Sequence, residues 1–203
     1  MSKKKNPKGS YGYVKAERKR RLLLTLLLFA IPLLIFFSGL IYNGTRNNIL
    51  TVVAILGCLP ACKSTVGMIM IWMVKPMKEE DYRAISSRAG ELTMAYELLF
   101  TTYEKNTFVD ALAICGNQLV GYSSRLEKGS REIEKHLANM MRNEGFALQV
   151  KIIPKLDVYL ERLAFLEENQ EALRAGVRYS PKEGEEGIPR EELIRGHLLA
   201  IAL

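Results

Sequence analysis

The chain has 203 residues, of which 48% are hydrophobic, with a formal net charge of +7 and three cysteines. Once apolar spans are set aside, that length leaves room for one soluble domain of ordinary size, and three scattered thiols exclude a disulfide framework. Nucleic acid is not the expected partner either, because the positive excess sits in one tail: residues 1–21 hold nine Lys/Arg against Glu17, so the rest of the chain carries about −1.

The tail abuts a hydrophobic run, a placement that predicts anionic lipid headgroups as its partner at roughly 1 kcal/mol per basic residue. The residues expected at the lipid surface are Lys3, Lys4, Lys5, Lys15, Arg18, Lys19, Arg20 and Arg21. Residues 1–21 are therefore read as a basic cytoplasmic tail.

Residues 22–42 form an uncharged run. At about 1.5 Å per residue a helix of that length spans a hydrocarbon core of roughly 30 Å, and it is read as the first transmembrane helix. The run is too long for a secretory signal core, and no clean small-residue cleavage site follows. Pro32 predicts a kink within it rather than an interruption.

Residues 43–48 supply a short polar external turn, and residues 49–74 a second transmembrane helix containing Pro60 and Lys63. A central lysine costs about 2.5–3.5 kcal/mol, which the surrounding Leu, Ile and Val residues nearly balance. Lys63 is thus the candidate functional residue within the membrane. Two arrangements are open to it. It can reach the surface by snorkelling or by a helix break at Pro60, or it can contact lipid phosphate or a partner protein. The spacing of Gly57, Ala61 and Ser64 suits a close helix contact. Trp72 and Lys75 fit the cytoplasmic interface, and Lys/Arg counts across the two runs put both termini in the cytoplasm.

From residue 79 the composition is that of a soluble domain, expected to be α/β with the order αβββαβα. Helical spacing of Tyr82, Ile85, Ala89 and Leu92 predicts a helix over 79–95. Strands are expected over 96–103, 108–115 and 118–124, the last two joined at Gly116-Asn117. A helix with Ile133, Leu137, Met140 and Met141 on one face runs to Gly145. A strand over 146–153 and a helix over 156–169 follow. The α/β domain is placed at 79–176, with a polar loop and a terminal helix over 177–203. That helix is expected to dock its apolar end on the domain.

The order helix, three strands, helix, strand over residues 80–153 resembles the restriction-endonuclease-like superfamily, including its NERD-type members. The match also rests on Thr107-Phe-Val-Asp-Ala-Leu-Ala-Ile114, which looks like the strand carrying the family's metal-ligating aspartate. The resemblance implies that Asp110 is that residue, and that the next strand carries an acid and a lysine two residues apart. Here that strand reads Gln118-Leu-Val-Gly-Tyr-Ser-Ser124, without either. Gln149-Val-Lys151 is similar to a Gln-x-Lys variant of the motif, but on the strand after the helix. In its two apolar runs the chain is otherwise similar to two-helix membrane proteins of bacteria.

No phosphate-binding loop, dinucleotide fingerprint, nucleophile elbow or zinc spacing occurs, so no cofactor or metal is expected. The residues favour a membrane-tethered, non-enzymatic binding or regulatory domain with a protein or small-ligand partner. A membrane-anchored, degenerate nuclease and an accessory subunit of a larger membrane complex are the alternatives.

Overall fold

The computed structural model describes residues 6–45, 48–101, 106–126, 130–177 and 187–202. The chain divides into two compact units, residues 14–75 and a second unit that joins 1–13 to 76–203.

The first unit is a pair of antiparallel helices, α1 (Tyr13–Asn43) and α2 (Ile49–Met73), both long and apolar enough to cross a membrane. Both prolines are accommodated: Pro32 lies inside α1 and Pro60 inside α2, and neither helix is broken. The helix break at Pro60 left open by the sequence does not occur, and the basic stretch from Tyr13 to Arg21 is the start of α1 rather than a separate tail. Asn48 caps α2, its Oδ1 accepting from the Thr51 amide at 2.9 Å.

One register runs the length of the pair. A Cβ on Gly39 would meet Leu50, and one on Gly57 would meet Pro32 at 3.2 Å. Thr25 and Ser64 share a hydrogen bond of 2.8 Å. Arg21 Nη1 donates to the Gly67 carbonyl at 2.9 Å, and Arg18 Nε to that of Ile71 at 3.2 Å. The contact expected at Gly57, Ala61 and Ser64 is the one made with α1, where Ala61 is fully buried. Small side chains let the backbones approach closely, so dispersion and short polar bonds hold the pair.

The second unit is a four-stranded sheet in the order β1-β2-β3-β4, with helices packed on it. β1 (Thr93–Thr101), β2 (Asn106–Cys115) and β3 (Gln118–Tyr122) form an antiparallel meander, while β4 (Gln149–Ile153) lies parallel to β3 after the crossover through α4 (Ser130–Asn143). The chain opens this unit with α3 (Glu79–Ser86) and closes it with α5 (Leu156–Glu168), α6 (Gln170–Ala175) and α7 (Arg190–Ile201). The expected order of elements is therefore present.

Three boundaries differ from those read in the sequence. The helix expected over 79–95 stops at Ser86, because from Thr93 the backbone pairs with β2 and that ladder outweighs the helical spacing of Ala89 and Leu92. Helix α7 belongs to the domain rather than to a separate tail: Ile194 and Leu198 are fully buried with Leu98, Phe100 and Leu112 of the sheet. Part of the basic tail also belongs here. The Tyr96 amide donates to the Gly9 carbonyl at 2.9 Å, Tyr11 stacks on Tyr82 with ring centroids 4.1 Å apart, and Lys8 Nζ donates to the Ala202 carbonyl at 2.6 Å.

Two apolar clusters cover the faces of the sheet. Leu112 and Ile114 of β2 meet α4 and α7 on one face, and Ala111, Ala113 and Cys115 meet α3 and α5 on the other. This alternation is the period of two expected of a strand buried on both faces. The outer edge of β4 is guarded: the Ile152 amide donates to Glu134 Oε1 at 2.8 Å, and Lys151 pairs with the same carboxylate at 3.8 Å. Charges placed on an edge in this way discourage pairing with another strand.

Candidate functional site

Asp110 lies in the middle of β2 and is 2% exposed. Its Oδ2 accepts twice from Ser124, from the amide at 2.7 Å and from Oγ at 2.9 Å. Ser123 beside it is fully buried, its Oγ donating to the Phe108 carbonyl at 2.6 Å. The end of β3 is thus tied back to β2 by two serines in succession.

Other polar groups converge on the same region. Tyr122 Oη donates to Asp81 Oδ2 of α3 at 3.5 Å, and Tyr122 stacks on the fully buried Tyr159 of α5. Burial pushes the Asp110 carboxyl up, the two Ser124 bonds and nearby Arg125 pull it back, and Asp81 pushes it up again; the net direction is upward. Tyr122 is pushed up to about 12, by burial first and by Asp81 and Asp110 next.

Glu97 is one of the acids that could supply the second half of a site around Asp110. Register places it across from Asp110, between the pairs Tyr96↔Ala111 and Leu98↔Val109. It is 2% exposed, has φ of +54°, and its Oε1 accepts from the Met77 amide at 3.2 Å. Here the alternation of β1 slips, with Ala95 and Leu98 three residues apart on one face. The only signal for it was an acid inside an otherwise apolar strand, which alternation alone places on neither face.

Gln149, Lys151 and Glu91, the other residues whose chemistry could complete a metal site with Asp110, lie elsewhere. Lys151 stands across from Val120 in the β3–β4 ladder and pairs with Glu134, and Gln149 stands across from Gln118. Both line a groove of about 340 Å³ with Arg162, away from Asp110. Glu91 is exposed ahead of β1. Among the described residues, no group of three or more His, Cys, Asp or Glu is placed to hold a metal ion.

A cleft of about 540 Å³ opens at the β2–β3 turn. Arg174 of α6 grips Glu191 of α7 with two bonds, of 3.1 and 2.9 Å, and the Gly116 amide donates to the same carboxylate at 2.8 Å. Arg190 spans the turn, donating to the Gly116 carbonyl and to Asn117 Oδ1. These bonds tie α6 and α7 to the hairpin and pair the charges of Arg174 and Glu191.

The cationic residues of α1 divide into two groups. Lys15, Lys19 and Arg20 are exposed. Arg18 and Arg21 are turned onto α2, where Arg18 donates to the carbonyls of Ile71, Trp72 and Val74 at the helix end. A guanidinium in that position satisfies carbonyls that have no helical partner and sits at the negative end of the helix dipole. Lys63, Trp72 and Lys75 are exposed. Lys3, Lys4 and Lys5 lie outside the described residues.

The buried Asp110 yields a test with a definite sign. A carboxyl whose folded pKa is raised contributes stability only while protonated, and that contribution is lost as pH rises through the folded value. Asp110→Asn should therefore raise the melting temperature at pH 7.5 and leave it nearly unchanged near pH 3. The near-ultraviolet tyrosine signal of the full chain in detergent would report this melt. A variant less stable at both pH values would mean that the Ser124 bonds to the ionised carboxylate outweigh its burial.

The fold and its polar centre together define a class: a small mixed α/β domain in a chain that also carries two long apolar helices. No protein-family model, curated protein or solved structure matches the chain.

Proposed function

We propose that the chain is a membrane-tethered binding or regulatory protein without catalytic activity of its own. In this reading α1 and α2 cross the cell membrane, both termini are cytoplasmic, and the exposed Lys15, Lys19 and Arg20 lie against anionic headgroups. The α/β domain then presents its surface to a protein or small ligand at the inner face. The two long apolar helices support the anchor.

The observation that carries the non-catalytic reading is the state of Asp110. Its Oδ2 already takes two bonds from Ser124, the side chain is 2% exposed, and the end of β3 offers Tyr122 and the following Ser123 where the restriction-endonuclease resemblance asks for an acid and a lysine. Cleaving a phosphodiester requires a cation held by carboxylates and charge stabilisation at the phosphate. The strand order α3-β1-β2-β3-α4-β4 supports kinship with that superfamily in a catalytically silent form. Fold kinship would not by itself confer activity.

A binding role finds support on α5, where Val158 and Phe165 are exposed and Arg162 stacks over the Phe165 ring at 4.6 Å. Arginine beside an exposed aromatic is a combination common at the centres of protein interfaces.

Purified full-length protein is expected to leave DNA and RNA intact with Mg²⁺ or Mn²⁺. Asp110→Ala should cost only stability, about 1–3 kcal/mol for the donors left unpaired. Cleavage that co-purifies with the protein and disappears in a folded Asp110→Ala variant would overturn the non-catalytic reading.

A further inference from the structure

We propose that Lys63 and Arg21 together bind the phosphate of a phospholipid at the cytoplasmic headgroup layer, making this a lipid site built into the helix pair. The inference rests on the membrane-anchor reading and adds to it a defined site and ligand.

Sequence position alone puts Lys63 near the middle of α2, nine residues before Trp72, which is about 13 Å deeper if Trp72 marks the interface. The helix register gives a different depth. Because Thr25 meets Ser64 and Arg21 meets Gly67, Lys63 stands level with Leu26, only five residues beyond the last arginine of α1. The charged stretch of α1 fixes the boundary of the hydrocarbon near Arg21, so Lys63 lies roughly 7.5 Å inside it. Residues 68–73 of α2 then stand level with Ala16–Arg21, in the headgroup layer. A lysine stem of four methylenes covers a comparable distance and brings the ammonium to the boundary.

The path along α2 is open. Helical side chains lean towards the helix N-terminus, which works against a stem reaching the other way. One turn ahead of Lys63 on the same face is Gly67, with no side chain to block it. The Arg21 guanidinium is already at Gly67: Nη1 holds the carbonyl, Nε holds Glu17 Oε1 at 3.0 Å, and Nη2 has no hydrogen-bond partner among the described residues. A Lys63 stem laid along that path would bring its ammonium to the glycine that Arg21 already holds, where Arg21 has a donor to spare. Glu17 is shared between Arg20 and Arg21, which leaves Lys63 without a carboxylate among the described residues.

Several facts select phospholipid as the occupant. No Asp or Glu occurs between residues 22 and 78, so a second copy of this chain has no carboxylate to offer at that depth. A dissolved phosphate ion would have to leave water for a site rimmed by apolar side chains. Leu59 and Val66, on either side of Lys63, are exposed and suited to acyl chains. A phospholipid brings the anion and the apolar surface together.

Native mass spectrometry of the full chain in mild detergent tests this, using phosphatidylglycerol and a galactolipid of the same acyl chains that lacks phosphate. Wild type should retain phosphatidylglycerol in preference to the galactolipid. Lys63→Gln should lower that retention about fivefold, the loss of one cation at a headgroup, while Lys63→Arg keeps it and Gly67→Leu lowers it. Equal retention of the two lipids, or no effect of Lys63→Gln, would overturn the site. A photocrosslinker at position 63 that captured a protein in native membranes, and no lipid, would also overturn it in favour of a partner carboxylate. Release of the chain by alkaline carbonate would instead remove the membrane anchor, a failure distinct from an integral chain indifferent to Lys63→Gln.

Discussion

Replacing Gly116 by valine is expected to destabilise the α/β domain severely, whereas the same change at Gly145 should cost a smaller part of its stability. Both glycines have positive φ, +55° and +94°. A β-branched residue there pays about 1–3 kcal/mol of backbone strain at either site. The difference lies in the surroundings. A Cβ on Gly116 would sit 2.3 Å from the Leu173 carbonyl oxygen, a backbone atom of α6 that cannot rotate away, while nothing lies within 4 Å of one on Gly145.

Relieving that clash means shifting α6, and with it Arg174, which holds Glu191 and through it α7. Adding roughly 1–3 kcal/mol for overpacking, Gly116→Val should lose about 2–6 kcal/mol, a large share of the about 5–15 kcal/mol that holds a typical domain. Denaturation of the full chain in detergent, followed by the tyrosine signal, would measure both variants. Equal losses at the two positions would mean that strain alone matters and that α6 gives way freely.

Reporter fusions after residue 45 and after residue 90 are expected to report from opposite sides of the membrane, external for the first and cytoplasmic for the second. Nine Lys/Arg precede residue 22, the turn holds only Arg46, and Lys75, Lys78, Arg83 and Arg88 follow α2. Basic residues flanking apolar spans stay on the cytoplasmic side, so two spans return the chain there. The antiparallel pairing of α1 and α2, held from Gly39–Leu50 to Arg18–Ile71, is the arrangement such a topology needs. An external signal from the residue-90 fusion would overturn it.

The centre around Asp110 shows how differently two strands can be read. β2 is a nearly continuous run of buried residues, so its single acid stood out at once. That Asp110 would bond the residue closing β3 was not visible, since Ser124 is fourteen positions away and reaches it only once the β2–β3 hairpin forms. Glu97 was visible as an acid in an apolar strand, but not its place beside Asp110. Its position depends on a left-handed backbone turn within β1 and on an amide at Met77 twenty residues earlier, and neither leaves a periodic trace.

By itself the sequence determined what short-range physics governs: two apolar runs long enough to span a bilayer, a Gly-Asn hairpin, the α and β periods, and the order αβββαβα. Tertiary structure alone decided where those elements stop and what they face. The helix beginning at Glu79 gives way at Ser86 because a ladder with β2 outweighs its own spacing. Residues 8–11 of the basic tail join the domain because the β1 edge, the end of α7 and Tyr82 offer them a hydrogen-bonded and stacked seat. Lys63 stands level with Leu26 because Arg18 and Arg21 of α1, residues far from it in sequence, are pinned to carbonyls of α2 and set the register of the pair. Local propensity is written in neighbouring residues, whereas burial and register arise from contacts across tens of residues, which a single sequence read along its length does not contain.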